Sequence, residues 1–139
     1  MNRSALVLLP LALVAGCGSA STAHAFPQPP VGSFHDGPCR TTAPAMLRIG
    51  RDARHLGKGR TPPQDLLEHL KADQALLVAA QPDFDPQSKP AIDALVIEVG
   101  LVRLRSDTTT YTPSLAPPLS EAYAAAVAAC TAPTASATP

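Results

Sequence analysis

The sequence contains no tryptophan, and its only aromatic residues are three phenylalanines and two tyrosines. Proteins that recognise single-stranded nucleic acids stack exposed bases on aromatic side chains. A chain with so few aromatic rings has little to stack on bases or sugars. We therefore predict no nucleic-acid partner.

Catalytic motifs are also missing from the sequence. It has no nucleophile elbow, no P-loop, no dinucleotide-binding fingerprint and no zinc-protease helix motif. The serines of the central and C-terminal parts resemble helix caps or linker residues: Ser88, Ser106, Ser114 and Ser120. We expect a protein that is not an enzyme, and no motif predicts a cofactor.

Charge is balanced overall but unevenly distributed. From Arg40 to Arg60 there are six basic residues against Asp52, whereas from Thr61 onward there are four basic residues against nine acidic ones. We interpret this as a basic helix beside acidic neighbours in one domain. The alternative is that the basic face rests on anionic lipid headgroups.

The sequence has a single long hydrophobic run, from Ala5 to Ala15. The run follows Arg3 and is interrupted by Pro10. As a helix it would rise about 16 Å, which is short of the roughly 30 Å hydrocarbon core of a bilayer. A basic residue followed by a short apolar run is typical of a secretory signal peptide.

The apolar run ends in Val14-Ala15-Gly16-Cys17. This resembles the lipobox of bacterial lipoproteins, in which small residues precede a cysteine. The resemblance implies a signal peptide over 1–16, a lipid on the thiol of Cys17 and anchoring at the extracytoplasmic face of the cell membrane. The alternative is the A-x-A site Ala23-His24-Ala25, where cleavage before Phe26 would release a soluble protein.

Once Cys17 is lipidated or removed, Cys39 and Cys130 are the only cysteines left. In an exported protein such a pair predicts a disulfide. Closing a loop of about 90 residues stabilises a fold by roughly 4–5 kcal/mol in the chain-entropy model. The alternative is two unrelated buried thiols.

Apolar residues recur at helical spacing in four segments. Helix one should begin near Thr41 or Thr42, with Pro44 in its first turn, and helix two at a capping box formed by Thr61 and Gln64. Helix three should span Ser88 to Ser106, although its β-branched residues also allow a strand from Leu95 to Arg105. Helix four should be regular from Leu119 to Cys130. The expected core positions are Met46, Ile49, Ala53, Leu56, Leu66, Leu67, Leu70, Leu77, Val78, Ile92, Leu95, Val96, Val99, Val102, Leu119, Tyr123, Ala126, Val127 and Cys130.

Short links between four helices favour an all-α, up-down-up-down bundle. That topology brings the start of helix one and the end of helix four together, so it agrees with a Cys39–Cys130 bridge. We expect residues 39–130 to form this bundle, 17–38 to be a flexible tether rich in proline, and 131–139 to be a disordered tail.

Two sets of polar residues are candidate ligand or metal sites. Asp65, His69 and Asp73 follow one another at four-residue spacing along helix two, but the row climbs more than about 10 Å, too far for one ion. A solvated helix flank is the plainer interpretation. A core that carries an apolar ligand or haem would use His55, His69, Tyr111 or Tyr123 as axial groups.

Helix three has a second apolar row, Ile97, Leu101 and Leu104, on the side away from its core face. Either the helix is buried all round, or the row is a face for an envelope protein or for a second copy of the chain. The sequence therefore predicts a lipid-anchored binding or scaffold module. The alternative is a carrier of a small apolar ligand, soluble if cleavage occurs before Phe26.

We expect the mature protein, purified from its host's membranes without reductant, to begin at a lipid-bearing Cys17. Its intact mass should also be lower by two hydrogens, because the remaining cysteines form a disulfide. Mass spectrometry of the intact chain measures both. A start at Phe26 without lipid would contradict the resemblance to lipoproteins.

Overall fold

A computed structural model of the chain describes residues 26–58 and 61–132, which contain four α-helices and no β-strand. The helices are α1 (Pro38–Ala53), α2 (Gln64–Ala80), α3 (Lys89–Asp107) and α4 (Ala116–Thr131). Short 3₁₀ turns lie in the connections, at Leu56–Lys58, Gln81–Asp83 and Pro113–Leu115. The strand alternative for 95–105 is wrong, because α3 runs through this segment without a break. No helix in the described ranges is long and apolar enough to cross a bilayer.

The four helices form the predicted bundle. Each helix packs against its neighbours in the chain, and α1 also packs against α4, which closes the ring. Most of the predicted core positions are buried in one hydrophobic cluster, and Leu67 and Val96 are half-buried at its edge. The prediction is wrong for Val78, which is 47% exposed on α2. The period of about 3.6 residues in the apolar pattern is therefore sufficient to identify the inward face of every helix.

A disulfide joins Cys39 in the first turn of α1 to Cys130 in the last turn of α4, with the Cα atoms 5.4 Å apart. The backbone N–H of His35 donates to the carbonyl of Cys130 over 2.9 Å, which adds a second link at the same end of the bundle. The prediction of a Cys39–Cys130 bridge is confirmed.

The start of α1 differs from the prediction. The helix begins at Pro38, after Gly37 at a φ of 91°, and Pro44 lies within the helix instead of in its first turn. Proline fits the first helical position because it has no N–H to leave unpaired there. Pro38 thus takes the role predicted for Pro44, and Pro44 costs α1 one internal hydrogen bond.

The predicted capping box of α2 is wrong. Pro63 precedes the helix in an extended conformation and no side chain caps it, while the amide of Gln64 donates to Glu68 over 3.2 Å. No side chain caps α3 either, but in the turn before it Asp85 accepts the N–H groups of Gln87 and Ser88 at 2.8 and 2.9 Å. The hydroxyl of Ser88 also donates to Asp85, and these hydrogen bonds lower the pKa of that carboxyl group.

Residues 26–37 pack along the bundle, and we call this segment the strap. Phe26 and Phe34 are both buried. The guanidinium of Arg54 donates to the carbonyl of Phe26 over 2.9 Å, and that of Arg40 donates to the carbonyl of Phe34 over 2.8 Å. Each end of the strap is thus attached to α1 or to the residue that follows it.

The prediction of a flexible tether over 17–38 is wrong for the strap, because both of its phenylalanines are part of the core. The helical bundle also extends to Thr131, one residue into the predicted tail. Outside the described residues lie Val14-Ala15-Gly16-Cys17, Ala23-His24-Ala25 and 133–139.

Tyr123 connects the strap to the bundle. Its buried hydroxyl donates to the carbonyl of Pro27 over 2.5 Å and accepts from the amide of Gln28 over 2.9 Å. Its ring lies 5.6 Å from that of Phe26, centroid to centroid, and against Gly50 of α1, where a Cβ would come within 2.2 Å of the ring. Burial raises the pKa of Tyr123 to about 12.

We expect Gly50→Ala to lower the free energy of unfolding by about 2 kcal/mol. The new methyl group would overpack against a ring that hydrogen bonds hold in place, and overpacking outweighs the gain of about 1 kcal/mol in helix propensity. Chemical denaturation measures the change.

Gly57→Ala is the matched control, since a Cβ there meets only the Ala116 methyl group at 3.9 Å. We expect it to change stability by less than about 0.5 kcal/mol. Equal stability of the two variants would show that the ring of Tyr123 moves aside without cost.

Candidate functional site

A cleft of about 460 Å³ lies between the end of α1 and the start of α2. Its walls are partly apolar, with Leu56, Pro62 and Leu66 buried beneath the surface. Polar side chains complete the lining: Asp52, His55, Lys58, Thr61, Asp65 and His69. The cleft therefore combines apolar surface with a few polar groups, the usual composition of a small-molecule site.

Asp52 and His69 form the polar centre of the cleft. The Nδ1 atom of His69 lies 3.3 Å from Oδ2 of Asp52, within range of an ion pair when the imidazole is protonated. No donor in the described residues completes a hydrogen bond to this buried oxygen. A buried acceptor without a hydrogen bond costs about 1–3 kcal/mol, so this oxygen would gain from a donor.

The turn after α1 determines the shape of the cleft. Leu56 is buried, and its carbonyl accepts a hydrogen bond from the hydroxyl of Tyr111, which lies after α3. Burial raises the pKa of Tyr111, so the hydroxyl stays protonated and remains a donor at neutral pH. His55 and Lys58 flank Leu56 at the exposed rim of the cleft.

The predicted row on α2 does not form a single site. Asp65 and His69 both line the cleft, but Asp73 is fully buried and forms an ion pair with Arg48 of α1, with 2.8 Å between Nε and Oδ2. This contact raises the pKa of Arg48. The interpretation of the row as a solvated flank is therefore wrong at Asp73. Within 26–58 and 61–132, no three His, Cys, Asp or Glu side chains are placed to hold a metal ion together.

The tyrosines predicted as axial groups have structural roles. The hydroxyl of Tyr123 is bonded to the strap, and that of Tyr111 to the turn after α1. Neither hydroxyl points into the cleft, whose lining contains no tyrosine. Of the four candidate axial groups, only His55 and His69 line the cleft.

The second apolar row of α3 lies on the surface. Ile97 is 60% exposed, Leu101 37% and Leu104 57%. The alternative that α3 is buried all round is wrong, because α1 and α4 complete the ring on the other side of the bundle. Three large apolar side chains on one outer helix face are a candidate interaction surface.

Asp52, the residue at the centre of the cleft, is not among the predicted site residues. It is the one acidic residue among six basic ones between Arg40 and Arg60, and that isolation is a weak signal. Its pairing with His69, 17 positions away, depends on how α1 and α2 pack.

Known proteins add no information about this site. The chain matches no family model, no curated protein and no solved structure at a significant level.

We expect Arg48→Ala to lower the free energy of unfolding by about 2 kcal/mol at neutral pH, because it leaves the carboxylate of Asp73 buried without its partner. Urea denaturation measures the effect. Arg51→Ala is the control, since Arg51 is exposed on the same helix, and its cost should be below about 0.5 kcal/mol. A cost for Arg48→Ala as small as that of the control would mean that the ion pair does not stabilise the fold.

Proposed function

We propose that this protein is a lipid-anchored module at the extracytoplasmic face of a bacterial cell envelope, and that it binds a small molecule in the cleft. The lipobox resemblance at Cys17 supports the anchor. The disulfide supports export, because disulfides persist in oxidising compartments.

The observation that carries the binding function is the Asp52 carboxylate at the polar centre of a partly apolar cleft. A ligand with an apolar body would cover Leu56, Pro62 and Leu66, and a donor group on it would bind this carboxylate, whose side chain is 17% exposed. Among the described residues, the lining has two carboxylates, Asp52 and Asp65, against one lysine and two histidines. The ligand class is therefore a small apolar molecule with an amine or another hydrogen-bond donor.

A carrier role for the bundle core has less support. The buried side chains form one continuous cluster, and the tyrosine hydroxyls proposed as axial groups are already hydrogen-bonded. Cleavage before Phe26 also has a physical disadvantage. It would place a terminal ammonium on a residue that is only 8% exposed and beside the guanidinium of Arg54.

We expect benzylamine to bind in the cleft and toluene, which lacks the donor, to bind more weakly. Binding would be measured by NMR on the ¹⁵N-labelled full chain in detergent, with shifts at His55, Leu66 and His69. Asp52→Asn should weaken benzylamine binding by about tenfold or more, since a hydrogen bond to a charged group contributes about 1.5–3 kcal/mol.

Asp83→Asn is the control variant, because it removes one negative charge outside the cleft. It should bind benzylamine as the natural chain does. If benzylamine shifts no cleft residue, or if Asp52→Asn binds it equally well, the cleft is not a site for donor-bearing ligands.

A further inference from the structure

The outer face of α3 has the spacing of a coiled-coil seam. Ala94, Ile97, Leu101 and Leu104 follow one another at intervals of three, four and three residues, and all four are exposed. Apolar residues at these intervals are the a and d positions of a heptad repeat. The seam lies opposite the side of α3 that is buried in the bundle, and it spans about 15 Å.

Two opposite charges lie along one edge of this seam. Glu98 and Arg105 each follow a d position, so both occupy e positions. They are about 10 Å apart along the helix, too far to pair with each other. Neither side chain forms an ion pair within the described ranges of the chain.

The other edge of the seam carries little unpaired charge near its centre. Asp93 is paired with Lys89, whose Nζ lies 2.7 Å from the carboxylate, and Gly100 has no side chain. The unsatisfied charges at the middle of the face are therefore those of Glu98 and Arg105.

We propose that the α3 seam binds the α3 seam of a second copy of this chain in an antiparallel arrangement around a two-fold axis. Ile97 of each copy then lies opposite Leu101 of the other, and Ala94 opposite Leu104, so that small residues face large ones. The two-fold axis brings Glu98 of each copy to Arg105 of the other, which forms two equivalent ion pairs.

The charges also disfavour the parallel alternative. In a parallel pair, the g position of one helix faces the following e position of the other. That arrangement places Glu98 beside Asp93 of the second copy, which Lys89 already pairs, and Arg105 beside Gly100, so neither unsatisfied charge gains a partner. The antiparallel arrangement is the one that pairs the unsatisfied charges.

The decisive experiment is a charge exchange on the full chain, purified from membranes in detergent. Sedimentation equilibrium in density-matched buffer gives the dimer Kd. Glu98→Arg and Arg105→Glu should each raise the Kd by about tenfold, because each turns two attractive contacts into repulsive ones. The double variant Glu98→Arg/Arg105→Glu should restore the Kd of the natural chain.

Leu101→Glu tests the apolar seam itself and should raise the Kd on the order of 100-fold. Leu76→Glu is the matched control, because Leu76 is an exposed leucine of α2 that lies outside the seam, at 53% exposure. Circular dichroism establishes that each variant stays helical.

Three results would overturn the proposal. The natural chain could be monomeric at the highest concentration reached, the double charge exchange could fail to restore the Kd, or Leu76→Glu could weaken association as much as Leu101→Glu. Binding of benzylamine is a separate measurement, so loss of the dimer leaves the proposed function standing.

Discussion

The burial of one phenol group governs much of this structure. The Tyr123 ring fills the space above Gly50, and its hydroxyl then lies where water does not reach. A buried hydroxyl is costly without partners, and the partners here are the carbonyl of Pro27 and the amide of Gln28. The strap must therefore be in place for the core of the bundle to be satisfied.

The strap also binds the chain at the end of α1. With the strap in position, the carbonyl of Phe26 accepts from Arg54, the residue that follows α1. The next residues form the turn that lines the cleft, and the hydroxyl of Tyr111, between α3 and α4, donates a hydrogen bond to that turn. The candidate site thus depends on interactions from three separate parts of the chain.

This dependence explains which features the sequence could predict. The inward faces of the helices repeat every three or four residues, so Ile49 or Leu95 can be placed in the core from periodicity alone. The disulfide follows from topology and the number of cysteines.

The residues at which helices begin are harder to predict, because Pro38 and Pro44 both fit a first turn and only packing distinguishes them. Phe26 and Phe34 have no helical repeat around them, so nothing local indicated that they are buried. The contact of Asp52 with His69 requires the relative position of two helices, which no local pattern contains.

The direction of the strap changes where the chain enters the domain. Although α1 begins beside the disulfide, the strap runs back along the bundle, and Phe26 lies next to Arg54 at the opposite end. From Cys17 to Phe26 there are nine residue steps, and a fully extended chain covers at most about 30 Å over that distance. In the proposed lipoprotein, the cleft would consequently stay in a thin layer of solvent next to the headgroups. A ligand that partitions into the membrane surface would be concentrated in that layer, and one dissolved in the bulk would not.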